Sequence, residues 1–230
     1  MNFLIIEHLI IEPAAIIADV IRQHGHHCTT IALEQAAPLP SNASDYDGII
    51  VMGGPQSAND HDTLMQDELS WVKTTLNANI PMLGICLGAQ IMAKAVGADI
   101  TPSPVRELGW FPIYPCQESA NDALFNTMTD GFMVFQWHGE TFSFTESMTQ
   151  VATHPQVPAQ AFRLNRAQYG LQFHVEVDES IIEQWIAYGE SERRHLGETG
   201  IKHLHQQTQC HLTQMQRFCR QMVDAWLTLI

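Results

Sequence analysis

Pro81-Met82-Leu83-Gly84-Ile85-Cys86-Leu87-Gly88-Ala89-Gln90 opens as an apolar run and ends as the start of a helix. The run reads as a buried strand that stops at Gly84, and residues 89–96 are compatible with a helix. Gly-x-Cys-x-Gly at such a strand-to-helix turn is the cysteine form of the nucleophile elbow. The tight turn pushes one side chain out of the backbone, and the small neighbours make room for it. The helix directs its positive end at the sulfur, which favours the thiolate. A lone cysteine ending a core strand would ordinarily be a small buried side chain. The glycines on both sides, and a histidine–acid pair far downstream, favour a nucleophile instead.

That pair lies in Gln172-Phe173-His174-Val175-Glu176. A catalytic cysteine needs a base, and the base needs a group that fixes its tautomer and stabilises its cation. In an extended segment residues i and i+2 share a face, so His174 and Glu176 project together. Residues 167–173 alternate loosely and suit a strand, which puts His174, like Cys86, at a strand end.

Strand and helix patterns alternate on either side of the elbow. Residues 3–7, 27–32, 47–52 and 80–86 read as strands, and residues 13–23 and 62–76 as helices. This alternation implies an α/β fold with a mostly parallel central sheet flanked by helices. Ligands in such sheets bind at the carboxyl ends of strands, where Gly53-Gly54, Cys86 and His174 all fall. From residue 100 to about 171 helical periodicity fades and prolines recur at 102, 104, 112, 115, 155 and 158. Residues 109–114, 131–137 and 160–164 read as antiparallel strands that extend the sheet. Residues 179–188, 192–209 and 212–229 read as helices, with Asp178 as an N-cap. Met215, Phe218, Met222, Val223, Trp226 and Leu229 form an apolar stripe suited to packing on the sheet. Residues 1–230 read as one domain, a core over 1–180 with a helical C-terminal extension over 181–230.

With the blocks Val51-Met52-Gly53-Gly54-Pro55, Gly84-Ile85-Cys86-Leu87-Gly88-Ala89-Gln90, Gln136-Trp137-His138-Gly139-Glu140-Thr141-Phe142 and Tyr169-Gly170-Leu171-Gln172-Phe173-His174-Val175-Glu176, the chain resembles a class I, triad-type glutamine amidotransferase of the stand-alone, GMP-synthetase-like branch. The family usually has proline between the histidine and the glutamate. Val175 also favours extended backbone, so the geometry of the pair is kept. The resemblance implies the flavodoxin-like class I amidotransferase fold and no cofactor. It implies that Cys86 attacks the side-chain carbonyl of glutamine to form a γ-glutamyl thioester, with His174 as base and acid and Glu176 orienting it. The oxyanion needs two N–H donors. Leu87 supplies one by the elbow geometry, and the resemblance assigns the other to Gly54. It also gives substrate-binding roles to Gly53 in the glycine turn, to Gln90, and to the backbone of Gln136, Trp137 and His138.

Two activities fit these residues. One is a glutaminase that passes ammonia to an acceptor; no phosphate-binding Gly-rich loop with Lys-Ser/Thr is present, so the acceptor half is expected on a separate synthetase protein. The other is a γ-glutamyl peptide hydrolase using the same triad on a larger leaving group. A third, non-catalytic regulatory module leaves the intact cysteine, histidine and glutamate unexplained. A formal net charge of −14 argues against nucleic-acid partners and anionic membranes. No apolar run is long enough for a membrane span, and the first residues do not read as a signal peptide. Cysteines 28, 86, 116, 210 and 219 suggest no disulfide framework and fit a reducing cytoplasm. His24, His26, His27 and Cys28, and His203, His205, Cys210 and His211, lack metal-ligand spacing, and no metal is expected.

Overall fold

The computed structural model describes residues 1–230. In chain order its elements are β1 (Asn2–Glu7), α1 (Ala15–Gln23), β2 (His27–Ala32), β3 (Gly48–Val51), α2 (Thr63–Asn77), β4 (Met82–Ile85), α3 (Leu87–Ala95), β5 (Ile100–Pro115), β6 (Phe132–Phe142), β7 (Thr149–Thr153), β8 (Ala161–Arg163), β9 (Gln168–Leu171), α4 (Glu179–Tyr188) and α5 (Glu190–Leu227). The strands form one nine-stranded sheet in the order β2-β1-β3-β4-β9-β8-β7-β5-β6. Pairing is parallel from β2 through β9, and antiparallel from β9 out to β6.

The parallel strands β3 and β4 and the middle of β1 are buried and apolar because helices cover both faces. Successive side chains of β1 go to opposite sides of the sheet. Phe3 and Ile5 join α1, α4 and α5 in one buried cluster. Leu4 and Ile6 join α2 and α3 in the other. Asp62 starts α2 by accepting from Met65 N at 3.0 Å, and Asp178 starts α4 by accepting from Ile181 N at 2.8 Å. Each such cap is worth about 1 kcal/mol.

The apolar stripe of the C-terminal helix packs on the sheet. Met215, Phe218, Met222, Val223 and Trp226 are buried, and Leu229 packs at the margin of the same cluster. Trp226 lies 5.8 Å from Phe3, ring centroid to ring centroid, and its Nε1 donates to the Ala167 carbonyl at 3.0 Å. Three details differ from the sequence expectation. β5 and β6 are longer than the runs read as strands, and β7 was not expected. The expected interruption near residues 210–211 is absent, and the helical path breaks instead at Gly197 (φ 62°, ψ 176°). No helix is long and apolar enough to cross a membrane.

Candidate active site

The elbow is assembled by backbone hydrogen bonds from three strands. Cys86 N donates to Leu171 O at 2.7 Å, at the end of β9. Gly88 N donates to Met52 O at 3.1 Å, just past β3. His174 N donates to Phe135 O at 2.8 Å, tying the segment after β9 to β6. The turn itself is strained, with Cys86 at φ 52° and ψ −106°. Only glycine fits at 88, where a Cβ would lie 2.0 Å from Val51 O. The first turn of α3 therefore sits directly on the β3 backbone, with Cys86 at the helix N-cap.

His174 faces this thiol, and both His174 and Glu176 are 1% exposed. Glu176 Oε1 meets His174 Nδ1 at 2.7 Å. Burial by itself would lower the His174 pKa. The charges of Glu176 and Cys86, with hydrogen bonds to both, outweigh burial and hold the ring well above the usual histidine range. Trp185 of α4 closes over the ring edge-on, with centroids 4.6 Å apart, and is itself anchored through Nε1 to Ile11 O at 2.6 Å. Desolvation pushes up the thiols of Cys219, Cys116 and Cys28, so these remain protonated.

A cavity of about 490 Å³ opens over Cys86. Gly54, Leu87, Gln90, Trp137 and His138 line it together with Cys86. Gly53 lies just behind: a Cβ placed on it would meet Glu12, His174 and Cys86. Gln136 precedes Trp137 and His138 on β6; its side chain is fully buried and donates to Gln160 Oε1, while the role expected of it rests on its backbone. Gln90 Nε2 donates to Glu140 O and to Gln172 Oε1, each at 3.1 Å. Those bonds orient the amide so that its oxygen is the end left to accept. Gln172 Nε2 in turn reaches Cys86 Sγ at 3.7 Å. His138 is tied down on both sides, with Nδ1 2.9 Å from Glu140 O and Nε2 2.9 Å from the buried Glu107 carboxylate. It supports the strand from beneath. No group of three or more His, Cys, Asp or Glu side chains is arranged to hold a metal ion.

Several residues of the site carry no sequence motif. Glu12 lines the cavity, and burial raises its pKa against the lowering pull of His174 and His8. Glu107 supports the site from inside the sheet. Trp185, Tyr188 and Glu190–Glu192 bring the C-terminal helices to the cavity wall. Arg106 of β5 reaches across to Ser191 and Glu192. Most are scattered single residues whose only sequence signal is position near a strand end.

A thiol, an imidazole and a carboxylate beside a cavity can cleave an amide by acyl transfer. Comparison with known proteins narrows the chemistry. The family model described as glutamine amidotransferase class-I matches residues 14–186. The glutamine amidotransferase-like protein YfeJ of Salmonella typhimurium is 29% identical over 161 residues, which cover 67% of this chain and 66% of that one. A glutamine-hydrolyzing GMP synthase of Porphyromonas gingivalis is 32% identical over 168 residues, 72% of this chain and 31% of the synthase. The chain thus spans about a third of the GMP synthase and about two thirds of YfeJ. Among solved structures, a glutamine amidotransferase of Thermotoga maritima superposes with a TM-score of 0.87 at 26% identity, covering 99% of this chain and 98% of that one. A glutamine amidotransferase of Methylobacillus flagellatus shares the fold, with a TM-score of 0.90 at 23% identity over 100% of this chain and 95% of its own.

Proposed function

The chain belongs to the class-I glutamine amidotransferase family, and we propose that it hydrolyses the γ-amide of glutamine through a γ-glutamyl thioester on Cys86, releasing ammonia for a separate acceptor protein. The observation that carries this reading is the strained Cys86 turn facing His174, which Glu176 holds at 2.7 Å. The Cys86 thiolate adds to the amide carbon. The oxyanion that forms is met by the N–H groups of Leu87 and Gly54. His174 gives its proton to the nitrogen as the carbon–nitrogen bond breaks, and ammonia leaves. Water then adds to the thioester, losing a proton to His174, and expulsion of the sulfur returns glutamate and the starting pair. Glu176 keeps the ring oriented and stabilises its cation through both halves.

Gln90 and the 136–138 backbone receive the α-amino and α-carboxyl groups of the substrate. The free oxygen of the Gln90 amide suits the α-ammonium. The GMP synthases match this chain over part of their length, so transfer of ammonia to a synthetase on another chain is the natural coupling. Five unpaired cysteines suit a reducing cytoplasm.

One observation favours a second reading. The cavity continues past Cys86 to Tyr188 and Glu190–Glu192, more space than glutamine's few heavy atoms fill. A γ-glutamyl peptide would place its leaving group there. Steady-state kinetics on L-glutamine, N-acetylglutamine and two γ-glutamyl dipeptides separate the readings. Both require that N-acetylation abolish turnover, because the headgroup site is left with unpaired polar atoms. Higher kcat/KM for the dipeptides than for glutamine selects the hydrolase, and equal rates on blocked and free glutamine contradict the headgroup assignment.

A further inference from the structure

We propose that His8, held by Glu68, is a positioning residue that aims the Gly54 N–H at the oxyanion formed on Cys86. The proposal rests on the reading of Gly54 as an oxyanion donor. His8 follows the last residue of β1, at the carboxyl end of a central strand. It is 2% exposed, and Glu68 of α2 is 1% exposed. His8 Nδ1 lies 2.9 Å from the Gly53 carbonyl oxygen. His8 Nε2 lies 3.1 and 3.0 Å from the two carboxylate oxygens of Glu68. Every partner of the ring is an acceptor, so both ring nitrogens donate. Burial pulls the His8 pKa down, but the hydrogen bond and charge of Glu68, the Gly53 bond and the charge of Glu12 prevail and raise it.

The carbonyl of Gly53 and the N–H of Gly54 belong to one planar trans peptide, and they point in opposite directions. A ring that pins the carbonyl therefore fixes where the N–H points. Oxyanion donors act because they are already aligned when charge develops, so an unpinned glycine pair would forfeit much of the effect. The loop also rests on the histidine sterically: a Cβ at Gly54 would lie 2.6 Å from His8 Cβ and 2.9 Å from His8 Cγ. Stability alone gives little reason for the pair, since apolar residues of similar volume commonly replace a buried ion pair without loss. Orientation of a reactive peptide is a reason that apolar residues cannot serve.

The test compares His8→Asn with His8→Gln. An Asn amide nitrogen falls where Nδ1 was and can still bond Gly53 O; a Gln amide nitrogen falls where Nε2 was and can only address Glu68. Turnover is followed with L-glutamine and γ-glutamyl-p-nitroanilide, and Cys86 is separately alkylated with iodoacetamide, a displacement that forms no oxyanion. The expected result is a loss in kcat and kcat/KM together of about 10²-fold for His8→Gln, with KM unchanged. His8→Asn should recover most of that loss, and the alkylation rate of Cys86 should be the same in all three proteins. If His8→Gln does not fold, the double change His8→Leu/Glu68→Leu, which removes both charges, takes its place with the same expectation. Equal activity of the Asn and Gln variants overturns the proposal, as does a parallel drop in alkylation, which would mean general disruption of the elbow. A wild-type protein inactive on both substrates, or active after Cys86 is blocked, overturns the hydrolase reading itself and is distinguished by that control.

Discussion

At the scale of single residues, Cys86 concentrates both the strain and the chemistry. A non-glycine residue at φ 52°, ψ −106° costs on the order of 1–3 kcal/mol, held in place by the surrounding backbone bonds. Cys86→Gly should therefore abolish turnover while stabilising the fold by about 1 kcal/mol, part of the relief being offset by glycine's greater unfolded-state entropy. Thermal melts read this directly; a lower melting temperature would mean the turn is not strained. The pH profile tests the partner. His174 is held above its ordinary pKa, so its proton is lost only as pH rises through the raised value. Glu176→Gln removes the largest charge holding it there. The alkaline limb of kcat/KM should move to lower pH, with less damage than His174→Ala, whose loss of acid–base catalysis is worth about 10²–10⁴-fold. An unmoved limb would show that Glu176 does not set the His174 proton. The elbow and the His-x-Glu pair are legible in sequence because each is local, its geometry set by neighbours along the chain. His8, Glu12 and Glu68 are not: their partners lie far away in sequence, and nothing local distinguishes them from other polar residues.

Elements show the same division. The parallel strands β1, β3 and β4 are legible because helices on both faces demand an unbroken apolar run. The antiparallel half is harder to read. β5 carries prolines at 102, 104, 112 and 115, which ordinarily interrupt a strand, and it accommodates a register shift between Pro102 and Glu107. β7, Thr149–Thr153, is short and half polar. In α5 the sequence around Cys210 and His211 contains no helix breaker, and the one real break falls at Gly197, between the partly buried Leu196 and the exposed Glu198. The packing of α3 on β3 makes a sharp prediction. In Gly88→Ala the added methyl would meet backbone, which cannot swing aside as a side chain can. The expected cost is about 1–3 kcal/mol or more, together with loss of turnover as the elbow shifts. Denaturant unfolding measures it, and a variant as stable and active as wild type would contradict the close approach of helix and strand.

At the scale of the whole molecule the C-terminal helices act as wall and roof of the site. α4 lays Trp185 on His174, the start of α5 faces the cavity, and the rest of α5 covers Phe3, Phe125 and Phe132. We read residues 1–230 as one folding unit on that basis. Truncation before residue 198 should leave those aromatics bare and give a protein that aggregates or binds hydrophobic dye; a soluble, cooperatively melting fragment would show that the extension is a separate module. The central claim is covalent catalysis at Cys86, and rapid acid quench of the protein during turnover of L-glutamine, followed by peptide mass spectrometry, tests it most directly. The expected result is a γ-glutamyl adduct on the peptide containing Cys86 and on none containing Cys28, Cys116, Cys210 or Cys219, absent in Cys86→Ala along with ammonia release. Ammonia release that persists in Cys86→Ala, or an adduct on another cysteine with Cys86 unmodified, would contradict the account.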